Sequence, residues 1–143
     1  MTASQAPSSA TPAVSLSHIG QIAVPVDDLG RAVAFYRDTL GMRFLFQAPP
    51  GLAFFQCGTV RLMLDKPIRE QPGHDRSRAS IIYYKVDDIH AAHQSLQAEG
   101  VQFEAEPHLI AKTPDHDLWM AFFKDTEGNT LALMCEVREG RQA

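Results

Sequence analysis

The feature that most constrains this chain is an internal repeat. Val26-Asp27-Asp28-Leu29 opens a segment that closes on Gly41-Met42-Arg43-Phe44, and Val86-Asp87-Asp88-Ile89 opens one that closes on Gly100-Val101-Gln102-Phe103. The aspartate pairs stand 60 residues apart and the glycines 59 apart. Spacing this regular points to a duplicated supersecondary unit rather than to two unrelated halves.

Each half reads alike. A β-type run comes first, His18 to Val26 and then Ala79 to Val86, with Ile22, Val24 and Val26 alternating against Gln21, Ala23 and Pro25. An aspartate follows where a carboxylate can accept from free amides of a first helical turn. Leu29, Ala32, Val33, Tyr36 and Leu40 then fall at helical spacing, as do Ile89, Ala92 and Leu96. Gly41 and Gly100 sit where a left-handed C-cap is wanted. Three strands are expected after each helix: Met42–Gln47, Leu52–Cys57 and Val60–Asp65, then Val101–Glu106, Leu118–Lys124 and Thr130–Cys135. The stretch from Pro107 to Asp117 is longer than a hairpin needs and reads as a binding or lid loop.

These readings divide the chain into a disordered leader (1–15), one domain (16–137) and a frayed tail (138–143). Within the domain, module 1 covers 16–66, a polar linker containing Pro72-Gly73 covers 67–78, and module 2 covers 79–137. The 143 residues suffice for one core, and 45% hydrophobic with 21% charged residues is a globular composition. A net charge of -4 with pI near 5.8, and no basic stripe, argues against a nucleic-acid partner. No apolar run reaches the roughly 18 residues that span a bilayer. The leader lacks a positive start and an apolar centre, so a cytoplasmic location is expected, with Cys57 and Cys135 as reduced thiols.

Three stretches carry a resemblance: Ile22-Ala23-Val24-Pro25-Val26-Asp27-Asp28-Leu29 with Ala34-Phe35-Tyr36-Arg37-Asp38-Thr39-Leu40-Gly41-Met42, then Val86-Asp87-Asp88-Ile89, then Phe123-Lys124-Asp125-Thr126-Glu127-Gly128-Asn129. They resemble the vicinal-oxygen-chelate superfamily of glyoxalases, bleomycin-resistance proteins and extradiol dioxygenases, over about residues 16 to 137. The resemblance implies an α+β fold of two tandem βαβββ modules making a cupped eight-stranded mixed sheet. It also implies a homodimer and a small-molecule ligand in the cup.

In that family four inward-facing side chains, usually His, Gln or Glu, hold a divalent metal whose open positions accept vicinal oxygens of a substrate. Carried over by position, the four places fall on Gln21, Met63, Ile81 and Ala132. Only Gln21 is a plausible ligand, because a thioether suits a hard divalent ion poorly and the other two side chains cannot ligate. A one-residue slip offers Leu62 or Leu64, Ser80 or Ile82, and Leu131 or Leu133, which does not rebuild the cage. A two-residue slip offers Asp65 alone. His18 is a residual candidate if a β-bulge turns it inward. No cofactor is therefore expected, with a divalent metal left open should the register differ.

Period-two alternation adds Arg61, Tyr83 and Met134 to the faces that carry Gln21, Met63, Ile81 and Ala132, and Trp119 is a candidate cover for a ligand, with ordinary interface or core as the alternative. Most of this set is apolar, as small-molecule pockets usually are, although the same residues would also suit a filled core. His116, within Asp115-His116-Asp117, is the one candidate general acid or base, against a plainer reading as a polar turn. Two functions stay open: a metal-free binding protein for a small apolar molecule, or a lyase, isomerase or dioxygenase built around Gln21 and His116. Glyoxalase I chemistry itself lacks its metal and its carboxylate base here.

Overall fold

The computed structural model describes residues 14, 16–67 and 79–138. The leader, the linker and the tail expected from sequence fall almost wholly outside the described residues. Module 1 runs β1 (Gln21–Pro25), α1 (Leu29–Ala34), a π-helical turn (Phe35–Thr39), β2 (Arg43–Ala48), β3 (Leu52–Cys57) and β4 (Val60–Asp65). Module 2 runs β5 (Ile82–Lys85), α2 (Ile89–Ala98), β6 (His108–Lys112), β7 (Asp117–Lys124) and β8 (Thr130–Val137). The chain is thus α+β, two βαβββ modules whose eight strands form two four-stranded mixed sheets. Their orders are β1-β4-β3-β2 and β5-β8-β7-β6.

The order follows from the connections. Tight turns pair β2 with β3 and β3 with β4 antiparallel, while the helix carries the chain across so that β1 lies parallel to β4. Module 2 repeats this: β5 lies parallel to β8, and β6, β7 and β8 pair antiparallel.

One face of each sheet is covered by its own helix. Val24, Leu62, Leu64, Ala53 and Phe55 point to α1, and Leu131, Leu133, Cys135, Ala121 and Phe123 point to α2; all are buried. The two sets belong to one core cluster, joined by Val26, Tyr36 and Ile89, each fully buried. Burying a side chain such as Phe55 or Phe123 contributes about 1.5–3 kcal/mol. Gly41 (φ 71°) and Gly100 (φ 96°) adopt the left-handed conformation expected of them after their helices.

The structure corrects the sequence reading in two places. The first helix is α-helical only to Ala34; Leu40 N then donates to Phe35 O, five residues back, so the last turn is widened. The second strand of module 2 is not Val101–Glu106 but His108–Lys112, inside the stretch expected to be a loop. Val101 is buried, Phe103 meets the core through an isolated bridge to Phe123, and Pro107 precedes the strand. The segment 101–106 therefore alternates because it packs on the core edge, and the loop shrinks to the turn at 113–116.

Candidate functional site

With one face of each sheet on a helix, the other face is open, and it carries most of the residues expected to make a site. On module 1 the register places residues in rows across the strands. Gln21, Arg61, Gln56 and Arg43 form one row; Ala23, Met63, Phe54 and Phe46 form the next. Phe46 and Phe54 stack with ring centroids 4.8 Å apart and planes at 26°, and Phe46 is 49% exposed. Gln21 Nε2 reaches Met63 Sδ at 3.8 Å, so the first two family ligand positions lie side by side. Arg61 lies over the Phe54 ring, its guanidinium carbon 6.0 Å from the centroid.

On module 2 the corresponding open face carries Tyr83, Ala132 and Phe122 in one row and Met134 with Met120 in the next. Tyr83 is 43% exposed and meets Phe122 edge-to-face at 5.9 Å. Ile81 lies just before β5 and is exposed, whereas Ala132 is fully buried. Sequence reasoning missed Phe46, Phe54, Met120 and Phe122. The signal was there, because each is the cross-strand partner, direct or one further, of a residue that had been picked out.

Two predicted residues lie elsewhere. Trp119 pairs with Leu109 and Cys135, on the helix-facing side of β7, and packs edge-on against His90 of α2 at 5.4 Å. It shares parity with the buried Ala121 and Phe123, so it cannot cover a ligand on the open face. His18 precedes β1, is exposed, and its Nδ1 lies 3.0 Å from Ser17 Oγ; no bulge turns it inward.

His116 sits in the turn between β6 and β7. Its Nδ1 is 3.0 Å from Asp115 Oδ1 and 3.2 Å from Thr113 Oγ1, and its Nε2 is 4.0 Å from Glu136 Oε2. Arg138 binds both carboxylates, at 3.0 Å to Asp115 and 3.2 Å to Glu136, and Lys85 adds a 3.2 Å contact to Glu136. The Arg138 guanidinium, then the Thr113 hydroxyl, hold the Asp115 carboxyl down at about 2. Gln21 and His116, the pair on which a rearranged active site would depend, belong to different sheets and share no contact.

Among the described residues no three His, Cys, Asp or Glu side chains converge as a metal cage requires. The positions corresponding to the family's ligands offer one amide, one thioether and two hydrocarbons. That donor set does not fit a divalent ion.

Sequence reading also missed how the modules are joined. The turn Asp125–Asn129 of module 2 docks on the start of α1. Glu127 Oε1 accepts from Asp27 N and Asp28 N at 2.8 Å each, and its Oε2 accepts from Arg31 Nε at 2.8 Å. Burial pushes the Glu127 carboxyl up, but Arg31, the Asp28 amide, Thr126 and the Asp27 amide together bring it down to about 2. Asp125 accepts from the buried Tyr36 hydroxyl at 2.7 Å, and Asn129 Nδ2 donates to Pro25 O at 2.8 Å. Burial and the Asp125 carboxylate push the Tyr36 phenol well up, so it stays a donor.

Two cavities lie along this seam: one of about 380 Å³ beside Phe35, Phe103 and Lys124, and one of about 220 Å³ beside Val24, Ala79 and Asn129. Neither is lined by any predicted site residue.

Comparison with known proteins agrees with this architecture. The profile of the Glyoxalase/Bleomycin resistance protein/Dioxygenase superfamily matches residues 18–133, and the chain belongs to that superfamily. It is similar to Uncharacterized protein YetH of Bacillus subtilis (strain 168), 26% identical over 82% of this chain and 98% of that protein. Among solved structures it is similar to TnmS3, an antibiotic binding protein from Streptomyces sp. CB03234, at 25% identity and TM-score 0.65, over 86% of this chain and 98% of the other. It is equally similar in fold to lactoylglutathione lyase from Agrobacterium tumefaciens, at 24% identity and TM-score 0.65, over 83% and 93%. One fold thus serves a binder and an enzyme, and the site must decide between them.

Proposed function

We propose that this chain is a binding protein for a small, largely apolar, aromatic molecule, held on the open sheet faces without the family's divalent metal. The observation that carries this reading is the pairing of a failed donor set with an aromatic platform. Gln21, Met63, Ile81 and Ala132 stand where ligands would be needed, while Phe46 and Phe54 stack beside Met63 with Phe46 half exposed. A flat, polarizable surface of rings and thioethers gains from stacking and edge contacts with another ring. TnmS3, an antibiotic binding protein on the same fold, supports binding as the use of such a surface. The homodimer implied by the family belongs to this reading, since a second copy would enclose faces that are open in one chain. So does a cytoplasmic setting; no helix among the described residues is long and apolar enough to cross a membrane.

Elemental analysis of protein incubated with nickel, zinc, iron or manganese tests the metal half. The expected content is far below one ion per chain, and a content near one overturns it. Calorimetric titration with neutral 2-naphthamide tests the other half. Binding is expected, and Phe54→Ala should weaken it about fivefold or more, the worth of an aromatic pair.

One observation favours a second reading, an enzyme of the lyase, isomerase or dioxygenase kind. His116 has carboxylates on both sides, an arrangement that suits proton transfer. That reading requires an activity that His116→Ala abolishes without lowering the unfolding temperature, and full activity in that variant removes it.

A further inference from the structure

The row Gln21–Arg61–Gln56–Arg43 crosses all four strands of module 1 on the open face and contains no acid. Arg61 and Arg43 are both exposed, and among the described residues neither guanidinium has a carboxylate partner. This contrasts with the other described arginines: Arg31 is bound to Glu127, Arg37 to Asp38, and Arg138 to Asp115 and Glu136. In a chain of net charge -4, two cations without carboxylate partners in one row of a sheet face, two strands apart, are a local exception.

The amides of this row differ. Gln56 Nε2 is spent on Gly58 O at 2.7 Å, whereas Gln21 Nε2 has only the weak 3.8 Å contact to Met63 sulfur and remains a donor. Arg61 and Gln21 are direct register partners across β1 and β4, so their side chains leave the same face of the sheet side by side. The stacked rings of Phe54 and Phe46 lie one row further along, about 7 Å away at two residues' rise along a strand. Asp65, the one acid on this face of β4, is four residues from Arg61, about 13 Å away, too far to neutralise it.

Resting on the binding reading above, we propose that the ligand is an aromatic acid: its ring lies against the exposed Phe46 and the edge of Phe54, and its carboxylate is read by Arg61 and Gln21, with Arg43 adding positive potential. A guanidinium offers paired N–H donors that match the two oxygens of a carboxylate. The Phe54 ring beneath Arg61 holds the guanidinium over the aromatic row. A bicyclic aromatic acid spans the distance between the two rows.

The test compares 2-naphthoate with its neutral isostere 2-naphthamide by calorimetry, on the full chain and on Arg61→Met and Arg61→Lys. The charged probe is expected to bind about tenfold tighter than the amide, and less so at high salt. Arg61→Met should erase this preference, so that acid and amide bind alike, and Arg61→Lys should retain part of it. Because Arg61 is exposed, both variants should unfold at the temperature of the parent chain. Equal binding of the two probes would overturn the assignment of an acid while leaving the aromatic-binding reading intact. A preference that survives in Arg61→Met would overturn Arg61 as its reader, and failure of both probes to bind would overturn the two readings together.

Discussion

At the start of α1, Asp28 Oδ1 accepts from Arg31 N at 3.0 Å; at the start of α2, Asp88 Oδ1 accepts from Ala91 N at 3.0 Å. The two modules begin their helices with the same cap at the same distance. What surrounds the caps differs. Around α1 the Glu127 carboxylate, reaching over from module 2, takes two further backbone amides and Arg31. At α2 the neighbouring Asp87 carbonyl accepts only a 3.4 Å contact from Cys135 Sγ. The source of the difference is turn length: module 2 joins its last two strands through Asp125–Asn129, whereas module 1 uses Gly58-Thr59. Duplication preserved the signals that make each unit, and the longer turn supplies the clamp that ties one unit to the other.

If that comparison is right, Asp125→Ala should have the largest effect. Asp125 accepts from Tyr36 Oη, Glu127 N, Asn129 N and Asn129 Nδ2 at 2.7 to 2.9 Å. Removing it strands a buried phenol and unravels the turn that presents Glu127. A loss of about 3 kcal/mol is expected from chemical denaturation. Shortening the turn to two residues, as in module 1, should cost a similar amount, and a small cost in either variant would mean that the apolar core alone holds the modules together.

Glu127→Gln is expected to cost about 2 kcal/mol at neutral pH, since it weakens charge-assisted bonds to a buried group. It also has a signature in pH. The folded carboxyl sits at about 2 against an ordinary value of 4.5, so between these values the unfolded chain binds more protons than the folded one. Stability from this group is complete above about 4.5 and is lost as pH falls through that window toward about 2. Denaturation midpoints measured from pH 6 to 2 should therefore fall more steeply for the parent chain than for Glu127→Gln. Parallel curves would show that the clamp carries no differential protonation.

Much of this was legible beforehand, and the reason is local. Alternation at Ile22, Val24 and Val26, the caps at Asp28 and Asp88, and the glycines at 41 and 100 are written within a few residues of the structure they cause. The bounds of β3 and β4 were equally readable, because the Gly58-Thr59 turn between them fixes them. What was not legible depends on partners far along the chain. Val101 to Glu106 alternates like a strand, but it meets β7 through the isolated Phe103–Phe123 bridge, and the ladder on β7 is made by His108–Lys112. Asp125 and Glu127 read as turn residues until Tyr36 and Arg31, about ninety residues earlier, are brought against them. Parity put Gln21, Arg61, Met63, Tyr83 and Met134 on the open faces, whereas Trp119, read either as a ligand cover or as core, lies on the helix-facing side with Ala121 and Phe123.

The smallest expected effect is also the sharpest test of the comparison. Asp28→Ala and Asp88→Ala remove identical caps, each expected to cost about 1 kcal/mol if capping acts alone. Glu127 does not replace the lost bond in the first variant: it holds the amides of Asp27 and Asp28, whereas the orphan left behind is Arg31 N. The two costs should accordingly match within a few tenths of a kcal/mol when measured by denaturation. A markedly lower cost for Asp28→Ala would mean that the clamp fixes the start of α1 by itself and that the duplicated cap has become redundant there. A markedly higher cost would mean that the Asp28 side chain also orders the backbone that Glu127 grips. In the Glu127→Gln background that excess should disappear, because coupling between the two groups is what a double-mutant cycle isolates.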